Sequence, residues 1–294
     1  MSDVPVAPVR PITDAEIDAF WADGVVCLRG VLDPRRLDEM ISPVDAALLG
    51  KESADLSEIG RALAASGESV PTDGDATDIE RTGRFVSGVD HWRSQSEFHA
   101  FAADSALPAI VGALLRATKV NLYEDSVLVK EPGAIERTVW HQDLSYFHVD
   151  GDQLCTTWCP LDPTDAENGA VRYARGSHRW DHVYRPNLFV SPMPIPGTEG
   201  ELVPDVDALA ARGEVEVMTF ATVPGDVVVH HARTLHAAGG NRSATTRRRA
   251  ISVRYCGDDA RVLVRTGAPL KPYQHDVTDG AVLDSPDCPV VWRA

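Results

Sequence analysis

A chain of 294 residues, 44% apolar and 24% charged, is long enough to bury about three quarters of the surface it would expose unfolded, and large all-β domains reach this size alone. Its net charge of −16 excludes the extended basic face that nucleic acid or an anionic membrane requires. No apolar stretch reads as a bilayer span, and the N-terminus MSDVPVAPVRPITDAE carries no apolar signal core. Cys27, Cys155, Cys159, Cys256 and Cys288 are scattered without a Cys-x-x-Cys pair, so reduced thiols in a cytoplasm are expected.

In chain order, Thr13-Asp14-Ala15-Glu16 predicts a capping box that opens a helix through Phe20. Gly24 to Val31 is a β-branched run that reads as a strand. Asp33-Pro34 starts a helix through about Leu49, with Pro34 in its first turn. Residues 64–84 are polar and read as a loop, and Ser96 to Ala117 reads as helix broken near Pro108. From Val120 the texture changes to short runs bounded by Gly, Pro, Asn and Asp, predicting strands within 120–130, 138–148, 153–161, 170–174, 215–219, 226–236 and 248–256. Five prolines mark 183–214 as an insertion. The expected architecture is mainly β: one domain over 1–294 with a helical buttress and opening strand in 1–119. A jelly-roll core would occupy 120–260 and a C-terminal extension 261–294.

Trp140-His141-Gln142-Asp143 carries the chemistry. On an extended strand, side chains two apart share a face, so His141 and Asp143 can grip one metal together. A distant histidine would complete a two-histidine, one-carboxylate set, which suits non-haem Fe(II) and leaves positions open for a ketoacid and O₂. His230, His231 and His236 are each able to supply it. A ketoacid needs a cation for its far carboxylate, and arginine offers a bidentate match. Within Arg247-Arg248-Arg249, strand alternation puts Arg248 on the face of small Ala250 and Ser252. Tyr146 and Phe147, just beyond the metal motif, are expected to wall a substrate pocket. Residues 64–84 and 183–214 are the candidate lid.

The segments "DGVVCLRGVLD", "LVKEPG…VWHQDLSYFHVDG", "TTWCPLDPTDAENGAVRYARGSHR" and "PGDVVVHHARTLHAAGGNRSATTRRRAISVRY", in this order, resemble the phytanoyl-CoA dioxygenase family of Fe(II)/2-oxoglutarate oxygenases, which includes the ectoine hydroxylases. The resemblance covers most of the chain. It implies a double-stranded β-helix (a cupin-like jelly roll) with flanking N-terminal helices. The implied reaction consumes 2-oxoglutarate and O₂, releases succinate and CO₂, and hydroxylates a small molecule. Among the three histidines the family's Arg-Thr-Leu-His pattern selects His236, and its Arg-basic-Ala-Ile-Ser pattern selects Arg248. It also implies 2-oxoglutarate contacts from Lys130, Trp158 and Gln142, and places Glu124 where the ectoine branch has a substrate-contacting glutamine. A carboxylate there suits a cationic or hydroxyl-rich substrate, such as a bacterial secondary metabolite or amino-acid derivative. A small-molecule partner is therefore expected, with the oligomeric state left open. Two other readings stand beside this one: a jelly-roll metalloenzyme without 2-oxoglutarate (an isomerase or ring-cleaving dioxygenase), and a non-catalytic binding or sensor module. Halogenation on this fold would need a small residue in place of the carboxylate, and Asp143 is present.

Overall fold

The computed structural model describes residues 6–73, 83–268, 270–274 and 277–294. The chain begins with α1 (Asp14–Asp23), β1 (Val25–Leu28), α2 (Pro34–Glu39) and α3 (Ile41–Ala47). Next come β2 (Ser53–Asp55), α4 (Leu56–Ala65), β3 (Phe85–Val89), α5 (Ser96–Ala103) and α6 (Leu107–Leu115). The strand-rich body holds β4 (Lys119–Lys130), β5 (Thr138–His141), β6 (Val149–Asp150), β7 (Leu154–Pro160) and β8 (Val171–Ala174). It continues through α7 (Val206–Ala211), β9 (Val217–Thr219), β10 (Val227–His231), β11 (His236–Ala238) and β12 (Arg248–Cys256). β13 (Arg261–Val262) and β14 (Val290–Arg293) close the chain.

Two antiparallel sheets make the jelly roll. The larger runs β1-β10-β7-β12-β4-β3-β2 with β14 also on β4, and the smaller runs β5-β11-β8-β9. β12 shows how the sequence builds both faces of the larger sheet. Ile251, Val253 and Tyr255 pack into the main apolar core with Phe20, Leu37, Phe98 and Leu114 from the helices. Arg248, Ser252 and Arg254, offset by one, face a cavity whose opposite wall includes His141 and His236 of the smaller sheet. Period-two alternation thus sorts one strand between an oily layer and a polar interior.

Most predicted elements form, and the departures have local causes. Thr13 and Glu16 make the capping box of α1. The helix expected over 34–49 breaks at Met40, because Pro43 has no N–H to give to the Glu39 carbonyl. The strand expected over 138–148 stops after His141: Asp143–Tyr146 is a 3₁₀ turn, held by Leu144 N–H donating to the Ala232 carbonyl at 2.9 Å. The run 226–236 is two strands of different sheets joined by a turn. β2, β3, β6, β13 and β14 were not foreseen; β2, Ser-Ala-Asp, has no β signature of its own and exists because β3 offers it an edge. Ser96–Leu115, with a mean hydropathy of 1.5, is apolar enough by length and composition to cross a membrane, which corrects the sequence reading. Here it forms α5 and α6, whose Phe98, Leu107 and Ile110 are fully buried in the core. Of the polar run 64–84, residues 74–82 lie outside the described residues, as does His275.

The end of α1 is one point at which the helical buttress is fastened to the site strands. Gly24 ends α1 with φ 78°, the left-handed region where glycine is unstrained. Its carbonyl accepts from Thr234 Oγ1 at 2.7 Å and from His231 N–H at 2.9 Å. A Cβ at this position would lie 2.3 Å from His178 Nδ1 and 2.6 Å from Thr234 Oγ1. Left-handed strain and overpacking together should cost about 2–4 kcal/mol in Gly24→Ala, measured by urea unfolding. A change within about 0.5 kcal/mol, as at an inert surface position, would mean that helix and strands part freely here.

Candidate metal centre

β5 and β11 pair so that His141 and His236 are direct cross-strand partners, their ring centroids 4.1 Å apart. Each ring is fixed by its own strand: His141 Nδ1 donates to the Val139 carbonyl at 2.8 Å, and His236 Nδ1 to the Thr234 carbonyl at 3.0 Å. A carbonyl only accepts, so both Nδ1 atoms carry the proton and both Nε2 atoms keep a lone pair. Gln142 is extended, which returns Asp143 to the same side as His141. Asp143 Oδ1 then lies 3.8 Å from His141 Nε2 and 3.7 Å from His236 Nε2. Two ligands each about 2.1 Å from one ion stand at most about 4.2 Å apart, so these three atoms fit a single metal. Among the described residues they form the one cluster of this kind.

The second carboxylate oxygen is held elsewhere. Asp143 Oδ2 accepts from Thr156 Oγ1 at 2.5 Å and from His230 Nε2 at 3.2 Å, with Arg254 Nε 3.7 Å away. Oδ1 is left for the metal, and His230 is a support of the carboxylate outside the ligand cluster. Burial opposes the charge on Asp143, yet Arg254, His236 and His230 hold its carboxyl well below the usual range. Burial, reinforced by the neighbouring histidine, pushes His141 down to about 3 and His236 down to about 4. All three groups therefore meet a cation at neutral pH without a competing proton.

Arg248 enters the same cavity. Its side chain is fully buried, Nη1 donates to the Leu128 carbonyl at 3.3 Å, and Nε has no partner. Burial pushes the guanidinium down to about 10, so it remains charged. Arg247 turns outward to Glu131 and Asp45, and Arg249 to Asp162 and Asp45. Three consecutive arginines thus split as strand alternation predicts. Only the middle one is a buried cation with a donor to spare.

A family model described as Phytanoyl-CoA dioxygenase (PhyH) matches residues 20–250. The chain belongs to this family. It is 31% identical over 162 residues to a probable alpha-ketoglutarate-dependent hypophosphite dioxygenase of Stutzerimonas stutzeri, a match covering 50% of this chain and 49% of that protein. The chain thus spans about half the length of that relative. Two solved structures share the fold. The epimerase SnoN, in complex with Fe3+, alpha ketoglutarate and nogalamycin RO, aligns with a TM-score of 0.69 at 21% identity over 95% of this chain and 98% of that one. EctD from S. alaskensis, with 2-oxoglutarate and 5-hydroxyectoine, aligns with a TM-score of 0.63 at 18% identity over 93% and 86%.

The remaining expectations drawn from the family fare unevenly in this chain. Trp158 lines the cavity, with Arg248 5.9 Å from its ring centre. Lys130 is buried but is not on the cavity wall: its ammonium donates to the carbonyls of Glu136 at 2.9 Å and Gly239 at 2.5 Å, beside the Phe85 ring. Gln142 points away from the metal ligands, donating to the Arg233 carbonyl at 2.8 Å and accepting from Tyr184 N–H at 3.0 Å. Glu124 is engaged by Lys271 of the C-terminal extension, with Arg254 3.6 Å away, so its carboxylate is already paired. The Tyr146 ring lies 5.8 Å from that of His141, centroid to centroid, and its hydroxyl is bonded to Asn187 of the insertion, but it is not on the cavity wall. Phe147 packs on Tyr123 in a separate apolar cluster. Arg254 and Thr156 escaped the sequence reading, although alternation from Arg248 and from Trp158 points to both. Phe189, which lines the cavity from the insertion, gave no signal.

Two outcomes follow. His236→Ala should abolish metal binding in a Co(II) or Fe(II) titration, and His230→Ala should weaken it by about 10–100-fold, the usual effect of losing a ligand's support. Wild-type affinity in His230→Ala would show that Thr156 alone orients Asp143. The metal-free protein should also lose stability in acid. Unfolded histidines titrate near 6.5, whereas burial pushes His141 and His231 to about 3 and His236 to about 4. From pH 6.5 down to 4 the unfolded chain gains protons that the folded chain refuses. Each histidine then costs about 1.4 kcal/mol per pH unit, visible as a falling urea midpoint.

Proposed function

We propose that this protein is an Fe(II)- and 2-oxoglutarate-dependent oxygenase that hydroxylates a C–H bond of a small molecule. The reaction consumes 2-oxoglutarate and O₂ and yields succinate, CO₂ and the hydroxylated product. The observation that carries this reading is the buried, incompletely partnered Arg248 guanidinium in the cavity that holds the triad. A metalloenzyme that needs no dianionic co-substrate has no use for a desolvated cation there, and a binding module that had shed its chemistry has no reason to keep three poised ligands. The SnoN and EctD likenesses support the fold of such an enzyme, and the name of the Stutzerimonas relative supports the co-substrate. Five free cysteines suit a reducing compartment such as the cytoplasm.

His141 Nε2, His236 Nε2 and Asp143 Oδ1 would hold iron on one face, leaving the opposite positions open. Bound iron(II) supplies the redox chemistry with O₂ that none of these side chains can perform. Arg248 would receive the far carboxylate of 2-oxoglutarate, with Trp158 and Leu128 as apolar walls along its carbon chain. Thr156 and His230 hold Asp143 Oδ2, so that Oδ1 would be the oxygen offered to the ion.

Purified protein given Fe(II), ascorbate, O₂ and 2-oxoglutarate should form succinate, and more of it with the true substrate. Arg248→Ala removes a charge-assisted pair worth about 1.5–3 kcal/mol, so the KM for 2-oxoglutarate should rise at least tenfold while Arg247→Ala leaves it nearly unchanged. Equal effects would reduce the arginine run to a general basic patch. With ¹⁸O₂, label in both succinate and product supports hydroxylation. An unlabelled product of unchanged mass would make the outcome epimerisation, and absence of succinate would overturn the reading.

A further inference from the structure

Residues 187–190 of the proline-rich insertion dock onto the metal-ligand strand. Asn187, almost fully buried, donates from Nδ2 to the Trp140 carbonyl at 2.9 Å. Its Oδ1 accepts from the Tyr146 hydroxyl at 2.9 Å and from Phe189 N–H at 3.0 Å. The Phe189 carbonyl in turn accepts from Val139 N–H at 2.9 Å. Between these clamps Phe189 has φ 65°, a left-handed conformation that is an outlier for a bulky side chain. Glycine or asparagine would make the same turn without strain. The ring itself must therefore account for phenylalanine.

That ring is not a member of any apolar core cluster. Its neighbours are His141, centroid to centroid 5.0 Å at an interplanar angle of 62°, and Phe85 at 6.2 Å. It also lines the cavity that holds the triad. A strained backbone, fixed by four hydrogen bonds, holds an aromatic ring in a T-shaped contact with a metal ligand. Ser191 of the same segment donates from Oγ to the Ser69 carbonyl at 2.7 Å, so the insertion is braced against the 64–73 segment as well.

We infer that Phe189 is a specificity-determining residue. It is the rigid apolar ceiling of the metal cavity, admitting slim substrates to the open side of the triad and excluding bulky ones. Its use in catalysis rests on the proposed oxygenase reading; its role as a ceiling does not.

The test has one arm without metal or co-substrate. Phe189→Gly removes the ring and suits the positive φ, so the variant should fold and keep its melting temperature, which a core phenylalanine would not. The vacated space beside His141 should bind benzene or indole, raising the melting temperature of metal-free Phe189→Gly but not of wild type. Asn187→Ala, which releases the clamp and leaves the ring in place, should show the same gain in part. In the second arm, Fe(II)-loaded Phe189→Gly should turn over a size-graded set of aliphatic and aromatic amino-acid derivatives, scored by succinate release, with the bulkier members gaining severalfold over wild type. Probe binding equal to wild type in both variants, or a melting temperature lowered in Phe189→Gly as for a core residue, would overturn the ceiling. Gain of probe binding with no succinate from either protein would leave the ceiling standing and remove the oxygenase reading. Succinate release with an unchanged size profile would overturn Phe189 as the selector.

Discussion

The structure depends on one constraint: a strand buried on both faces must present oil to one and charge to the other without misplacing either. β12 meets it by strict alternation, with Ile251, Val253 and Tyr255 against the helices and Arg248, Ser252 and Arg254 in the cavity. A slip of one residue would send two arginines into the apolar core. Desolvating an unpaired guanidinium there costs several kcal/mol, so the polar interior itself enforces the register with β4 and β7. The chemistry of the cavity and the stability of the sheet are therefore fixed by the same pattern.

Charge inside the barrel is arranged as a chain of neighbours. Asp143 faces Arg254, Arg254 faces Glu124, and Glu124 is paired with Lys271, which also meets Asp90 at 2.8 Å. Each buried ion has an opposite partner, the condition under which burial is tolerated. Arg248 stands apart. Its guanidinium has only a backbone carbonyl and a tryptophan face, and its cost is offset only when an anion arrives. Arg254 Nε also lacks a hydrogen-bond partner, but Asp143 and Glu124 stand beside it; among the described residues Arg248 is the cavity cation with no ion pair, and so the one that a dicarboxylate would find.

How much of this was legible in the sequence divides along the range of the interactions involved. The capping box, the strand runs from Val120 onward and the outward turn of Arg247 and Arg249 all follow from neighbours a few residues away, and they were readable. His141 and Asp143 shared a face by the same logic. The choice among His230, His231 and His236 was open from the residues alone, because it turns on β10 and β11 belonging to different sheets. Lys130, Gln142, Glu124 and Phe147 lie off the cavity wall for a related reason. Lys130, Gln142 and Glu124 turn to the Gly239 carbonyl, the Arg233 carbonyl and Lys271, 91 to 147 positions distant, and Phe147 packs on Tyr123, 24 positions back; no local pattern encodes those. β2, Ser-Ala-Asp, is a strand because β3 supplies an edge.

The same long-range logic ties the helical half of the chain to the metal ligands. The Gly24 carbonyl receives Thr234 Oγ1, and the Thr234 carbonyl receives His236 Nδ1. The end of α1 therefore fixes the turn that fixes the tautomer of a ligand, two links in all, each a single hydrogen bond of ordinary length. A metal site needs its ligands oriented to within a few tenths of an ångström, and a β-turn between two sheets would not by itself be that stiff. Anchoring the turn to the end of a packed helix lends it the rigidity of the apolar core. The N-terminal helices in this fold are then more than a cover for the outer face of the sheet: they are the fixed frame against which His236 is held.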